Sequence, residues 1–340
     1  MKIGILNGGG DCAGLNAVTR AVVKRAEGYD WQVLGIRYGW EGLLKPECFK
    51  LTYNDVAGII NTGGTILKSS RTNPAKRPYG LETVIENSKK LGLDAVIAVG
   101  GDDTLGVAAE LHRKGLRIVG VPKTMDNDLS STDYTFGFYS AVNEAMHAID
   151  NLRTTAESHD RVFIVEVMGR EAGWVAAYAG IASGANLIIV PEEPFDIEAV
   201  ISFVKTRHER GEKATVIVVS EGAALKNLEG ADQGKVDEFG HARLGGIAQF
   251  LEGEIEKATG YDARVAVLGH MIRGGPPTAF DRVLSTRFGL AAVDLIKEGG
   301  FGMMVCLKGT EITAASLEES TSRQRLLDLE ILNVIKMMSY

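Results

Sequence analysis

A chain of 340 residues, 45% hydrophobic and 24% charged, is long enough to bury the cores of two lobes. Its net charge of -7, spread without long single-sign runs, argues against nucleic-acid and acidic-membrane partners, because both want a basic face. Three cysteines, Cys12, Cys48 and Cys306, form no CxxC pair and no even-numbered framework, which disfavours a zinc site or a disulfide scaffold and suits a reduced, cytoplasmic setting.

The chain opens on a strand pattern, KIGIL, with no basic leader, and no apolar run approaches the length of a membrane span. This first strand passes through NGGGD into a helical pattern over 14–27, and QVLGI follows. DAVIAVG then runs into GGDD at 100–103 and a helix over 104–114. RIVGV leads to PKTMDND at 122–128, ahead of a helix over 138–157. RVFIVEV leads to MGREAG at 168–173, and NLIIV precedes a helix over 196–209. TVIVVS ends on SEG at 220–222. Residues 223–244 are polar and aperiodic, which predicts a surface excursion or lid. RVAVLG enters GHMIRGG at 269–275, a helix covers 279–298, MMVCL follows, and a helical tail begins near Leu317.

Strands alternating with helices predict an α/β fold of mostly parallel sheets flanked by helices. The glycine-rich and acidic loops all fall at the carboxyl ends of strands, where open α/β sheets bind ligands, so one crevice can collect them.

NGGGDCAGLN offers close backbone approach and a helix N-terminus suited to an anion, but its spacing matches neither GxGxxG nor GxxxxGK[ST]. An ordinary strand-to-helix turn explains it as well. PKTMDNDL packs Thr124, Asp126 and Asp128 into five residues. One carboxylate there can accept a hydroxyl proton and another can hold Mg²⁺. An Asx-rich turn would explain that cluster in isolation. The second acidic pair, Asp102 and Asp103, one strand earlier, favours chemistry. Arg170, His270 and Arg273, with Arg264 at the start of a strand and Glu221 closing another, suit a sugar phosphate, since guanidinium groups grip phosphate and a carboxylate holds hydroxyls. A surface ion pair is the plain alternative for any single arginine.

NGGGDCAGLNAV, GGDDT, PKTMDNDL, TDYTFGF, EVMGREAGW and GHMIRGGPPTAFDR, in this order, resemble the phosphofructokinase family over nearly the whole chain. The resemblance implies a two-lobed fold with the active site in the cleft. It divides the chain into a donor lobe, 1–137 plus about 272–310, and a sugar lobe, 138–271 plus about 311–340. It implies phosphorylation of the C1 hydroxyl of fructose 6-phosphate, with Asp126 as base, Asp128 beside it and Asp102 on Mg²⁺. Gly10, Arg71, Asp103, Lys123 and Thr124 match donor positions. Thr124, Asp126, Asp128, Met168, Gly169, Arg170, Glu221, His270 and Arg273 match sugar-phosphate positions. Arg161 and Arg264 match arginines that reach the sugar phosphate from a neighbouring subunit, which implies a homodimer or homotetramer.

Two residues bear on the donor. ATP-dependent members of the family typically carry glycine at the position of Asp103 and often at that of Lys123; pyrophosphate-dependent members carry aspartate and lysine. An aspartate in place of glycine adds bulk and a like charge that costs roughly 4 kcal/mol beside a phosphate at 4 Å and an effective dielectric of about 20. Lys123 supplies a cation for pyrophosphate or the transferred group. Pyrophosphate is therefore the expected donor, in a reaction running both ways and serving glycolysis and gluconeogenesis alike; an ATP-dependent 6-phosphofructokinase is the alternative. A kinase for another substrate with a GGD loop, or a silent subunit, fits the sugar-side residues and the intact carboxylates less well. Effector positions of regulated members are only partly present: Arg20, Lys24 and Arg153 remain basic, while Tyr53 and Asn186 depart, which predicts insensitivity to ADP and phosphoenolpyruvate.

Overall fold

A computed structural model of the chain describes residues 1–226 and 246–339. All nine strand runs read from the sequence are strands. In chain order the strands are β1 (Lys2–Asn7), β2 (Gln32–Ile36), β3 (Cys48–Leu51), β4 (Ala95–Gly100), β5 (Ile118–Pro122), β6 (Val162–Val167), β7 (Leu187–Ile189), β8 (Thr215–Ser220), β9 (Ala263–Val267), β10 (Met303–Lys308) and β11 (Glu311–Ser316). They form a seven-stranded sheet, ordered β11-β10-β5-β4-β1-β2-β3, and a four-stranded sheet, ordered β7-β8-β6-β9.

The central strands β1, β4, β5, β6 and β8 are apolar at most positions because both of their faces are covered. In β4, Ile97 and Val99 face the core under the helices Leu15–Glu27 and Ala279–Lys297. Val96 and Ala98 face the opposite core, under the helix Asp102–Arg113. The four-stranded sheet repeats the pattern. Val165 of β6 faces the helices Phe138–His159 and Trp174–Ser183, and Ile164 faces the helices Ile197–Glu209 and Ile247–Thr259.

Three features differ from the expectation. β3 and β11 pair antiparallel at the two edges of the larger sheet, and neither announced itself, since CFKL is only four residues long and EITAAS has no buried residue. Because β11 pairs with β10 from Met303 opposite Ser316 to Lys308 opposite Glu311, residues 311–316 belong to the seven-stranded sheet, and a boundary at about 310 would split a hairpin. The tail is not one helix. A turn of helix at Leu317–Ser320 gives way to irregular backbone over 321–328 before the helix Leu329–Met338. The excursion expected at 223–244 lies outside the described residues from 227 onward; before that, Leu225 bridges Phe195. No helix among the described residues is long and apolar enough to cross a membrane.

Candidate active site

The loops at the carboxyl ends of β1, β4, β5 and β6, with the turn after β9, converge on one cavity. It is lined by Gly9, Gly10, Arg71, Gly101, Asp102, Asp103, Thr104, Lys123, Thr124, Met125, Asp126, Asp128, Arg170 and Arg273. The loops at the ends of both sheets thus contribute to a single site, as expected for ligands bound outside the carboxyl ends of strands.

On the side of the larger sheet, the helix expected from 104 starts at Asp102, so Asp102 and Asp103 occupy its first turn. The unpaired N–H groups and the dipole of a helix start favour negative charge there. Beside them, Gly10 admits Arg273: a side chain at Gly10 would bring its Cβ within 2.7 Å of the Arg273 guanidinium. Arg273 donates from Nη1 to the carbonyl of Asp11 at 3.1 Å, while its buried Nε has no partner among the described residues. Lys123 is buried and donates from Nζ to the Gly10 carbonyl. Burial, with the nearby Arg273 cation, pushes the Lys123 ammonium below its ordinary range, against the pull of Asp126 and Asp11. Cys12, next to it, is pushed up to about 12 by burial and stays a thiol.

The DND turn is built by its own side chains. Asn127 adopts left-handed backbone, φ 53°, and its Oδ1 accepts from the backbone N–H of Thr135 at 3.1 Å. The Thr124 hydroxyl accepts from the backbone N–H of Asp126 at 3.1 Å. That geometry leaves Asp126 buried with Oδ1 lacking a partner among the described residues. Burial, then the charges of Asp126 and Asp102, push the Asp128 carboxyl up to about 7, with the Thr124 hydroxyl working the other way. Carboxylates crowded in this way are poised for a cation.

On the side of the smaller sheet, Arg170 also adopts left-handed backbone, φ 51°. Glu221 at the end of β8 holds that loop, its Oε1 accepting from the N–H groups of Gly169 at 3.2 Å and Arg170 at 3.1 Å. Gly222 is required beside it, since a Cβ there would lie 1.8 Å from the Arg170 carbonyl oxygen. Burial opposes the Arg170 charge, yet Asp126, Asp102, Asp103 and Asp128 together raise its pKa. Burial raises Glu221, and the two N–H donors oppose the rise.

Ten of the sixteen expected site residues, Gly10, Arg71, Asp102, Asp103, Lys123, Thr124, Asp126, Asp128, Arg170 and Arg273, therefore line one cavity. Met168, Gly169 and Glu221 form the shell behind Arg170. His270 is exposed on the short turn Gly269–Arg273, outside the cavity lining. Arg161 and Arg264 are not brought in. They stand at the amino ends of β6 and β9, where both pair with Asp262. Sequence reasoning passed over Thr104 and Met125, which also line the cavity; Thr104 ends the GGDDT motif, but a search led by charge does not register it.

The carboxylate set fits Mg²⁺. Among the described residues no three His, Cys, Asp or Glu side chains are placed to hold a metal on their own, and Mg²⁺ takes one or two carboxylates and completes its shell with phosphate oxygens and water.

An α/β frame that brings carboxylates, a buried lysine and three arginines to one cleft defines an enzyme of the phosphoryl-transfer class. The model of the phosphofructokinase family matches residues 2–296. The chain is 52% identical over 332 residues to the pyrophosphate–fructose 6-phosphate 1-phosphotransferase of Amycolatopsis methanolica, covering 97% of each. It is 49% identical over 322 residues to ATP-dependent 6-phosphofructokinase 3 of Streptomyces coelicolor, covering 94% of each. Among solved structures, the pyrophosphate-dependent phosphofructokinase of Marinobacter aquaeolei matches with a TM-score of 0.84 and 26% identity, over 97% of this chain and 86% of that one. This chain belongs to the phosphofructokinase family.

Proposed function

We propose that the chain transfers a phosphoryl group from pyrophosphate to the C1 hydroxyl of fructose 6-phosphate, giving fructose 1,6-bisphosphate and phosphate, in a reaction that runs in both directions. The observation that carries this reading is Asp103 in the cavity wall, where its charge and bulk oppose the α-phosphate and nucleoside of a nucleotide. The 52% identical pyrophosphate-dependent relative supports it.

Asp126 takes the proton of the C1 hydroxyl as that oxygen attacks; its unpartnered Oδ1 is the acceptor. Arg170, Arg273 and Lys123 neutralise charge that develops on the transferring group. Arg71, Gly10 and Thr124 position the donor, and Asp102 holds Mg²⁺, which supplies positive charge to the phosphate oxygens when bound. Met168, Gly169, Arg170, Glu221, His270 and Arg273 serve the sugar phosphate, with Glu221 acting partly through the backbone it holds. The donor half is the seven-stranded sheet, extended by β11 beyond the boundary expected from sequence, and the sugar half is the four-stranded sheet.

Arg161 and Arg264 complete the sugar-phosphate site of a neighbouring copy, in a homodimer or homotetramer. Exposed apolar residues at and just after the free β9 edge, Val267 and Met271, support contact between copies there. The unpaired cysteines suit the cytoplasm.

Assays of the same preparation with pyrophosphate and with ATP test the donor. Turnover with pyrophosphate is expected, and turnover with ATP alone overturns it in favour of the second reading, which the ATP-dependent relative keeps open.

A further inference from the structure

The irregular segment between the last two helices runs across the back of the cleft and touches both of its walls. Its backbone bridges the DND loop: Gln324 forms an isolated antiparallel bridge with Leu129, and the Arg325 N–H donates to the Asp128 carbonyl at 2.7 Å. The Arg325 guanidinium donates to the carbonyl of Asp133 at 2.7 Å and lies 4.3 Å from the ring centre of Trp174. The Trp174 indole N–H donates back to the Arg325 carbonyl at 3.0 Å. Trp174 is buried and begins the helix that follows the MGREAG loop, four residues after Arg170.

A second tie lies two residues further along. The carboxylate of Glu192 accepts from the Leu327 N–H at 3.0 Å and from the Gly173 N–H at 2.9 and 3.1 Å. One carboxylate therefore joins the strap to the last residue of the sugar-side loop. Across Arg325 and Glu192, the loop bearing Asp126 and Asp128 is linked to the loop bearing Arg170 through two residues of main chain.

We infer that Arg325 and Glu192 are positioning residues, which hold the DND loop and the MGREAG loop in register so that Asp126 and Arg170 face each other across the reacting group. The inference rests on the reading of the cleft as a phosphoryl-transfer site. Its physical basis is that transfer needs in-line placement of two ligands bound by two different walls, and small misplacements cost rate more than affinity. A guanidinium stacked on a buried indole and bound to a carbonyl fixes orientation in a way a flexible ammonium does not.

The experiment compares wild type with Arg325→Ala, Arg325→Lys and Glu192→Gln in two measurements. The first is hydrogen–deuterium exchange of the unliganded proteins. In Arg325→Ala, exchange is expected to rise together in peptides covering 124–130 and 168–174, with β1 and β4 unchanged. A rise confined to the strap overturns the inference. The second is kinetics together with direct binding of fructose 6-phosphate. A fall in kcat of about tenfold to a hundredfold is expected, with sugar-phosphate affinity kept within roughly threefold and partial recovery in Arg325→Lys. Glu192→Gln keeps one acceptor oxygen and should lie between wild type and Arg325→Ala. A lowered melting temperature with unchanged kcat means the strap serves stability alone and sinks the idea. If wild type itself transfers no phosphoryl group to fructose 6-phosphate, the functional reading fails while the exchange measurement still decides whether the strap couples the loops.

Discussion

Arg161 and Arg264 share one carboxylate, that of Asp262, at the amino ends of β6 and β9. The cleft lies at the carboxyl ends of the same strands. Five or six residues of strand at about 3.3 Å each separate the two ends, further than an arginine side chain reaches. Any role of these arginines at a sugar phosphate must therefore be played in another copy of the chain.

That arrangement predicts complementation. Arg161→Ala should raise KM for fructose 6-phosphate by about tenfold to a hundredfold, the value of one charge-assisted phosphate contact, and leave KM for pyrophosphate nearly unchanged. Mixed oligomers of Arg161→Ala with Asp126→Ser should regain turnover at low sugar phosphate that neither parent shows, because one site then holds both an intact base and a neighbour's arginine. Mixtures no more active than the average of the parents would show that the arginine does not act across subunits.

Asp103→Gly tests the donor assignment. Removing the like charge and the side chain should weaken pyrophosphate use and open space for a nucleotide, so kcat/KM for ATP should rise by at least roughly tenfold relative to that for pyrophosphate. Unchanged pyrophosphate turnover would remove Asp103 from the explanation.

Asp126→Ser separates chemistry from binding. Loss of a positioned base should lower kcat by about a hundredfold to ten-thousandfold, with fructose 6-phosphate still binding by calorimetry within a few fold of wild type. A parallel loss of binding would mean that Asp126 mainly shapes the pocket.

Asp128 contributes to the pH dependence of stability. Its folded-state pKa, about 7, lies above the ordinary carboxyl value, so the folded state favours the protonated acid. The associated stability is fully present below about pH 4 and is lost as pH rises through 7. Without divalent cation, Asp128→Asn should flatten the decline in melting temperature between about pH 5 and 8 relative to wild type. Equal slopes in the two proteins would place the effect elsewhere.

Regulation by nucleotide or phosphoenolpyruvate should be absent. Arg153 donates to the carbonyls of Ser183 at 2.8 Å and Gly184 at 2.6 Å, where it closes the end of a helix, and Lys24 rests over the Tyr53 ring at 4.5 Å. Asn186 accepts from the Val216 N–H at 2.8 Å. Groups engaged in this way offer no differential contact to an effector. Activation by ADP or inhibition by phosphoenolpyruvate beyond about twofold in steady-state kinetics would contradict this.

The strands that build both sheets, and the loops that build the cleft, were legible because local rules write them. β-branched runs covered on both faces leave continuous apolar stretches, and the chemistry sits in short loops directly after them, so the sequence alone places GGDD, PKTMDND and MGREAG on strand ends. β3 and β11 escaped because a four-residue edge strand and an edge strand with no buried residue carry no such pattern. Which charges meet was a different question. Asp128 near 7 depends on burial and on the charges of Asp126 and Asp102, while Glu221 on backbone N–H groups, the pairing of Arg161 with Arg264 through Asp262, and the strap from Arg325 to Trp174 join residues about fifty to two hundred positions apart. Side-chain identity determined what each group can do; burial and long-range proximity, which come only from packing the two sheets together, decided which groups do it.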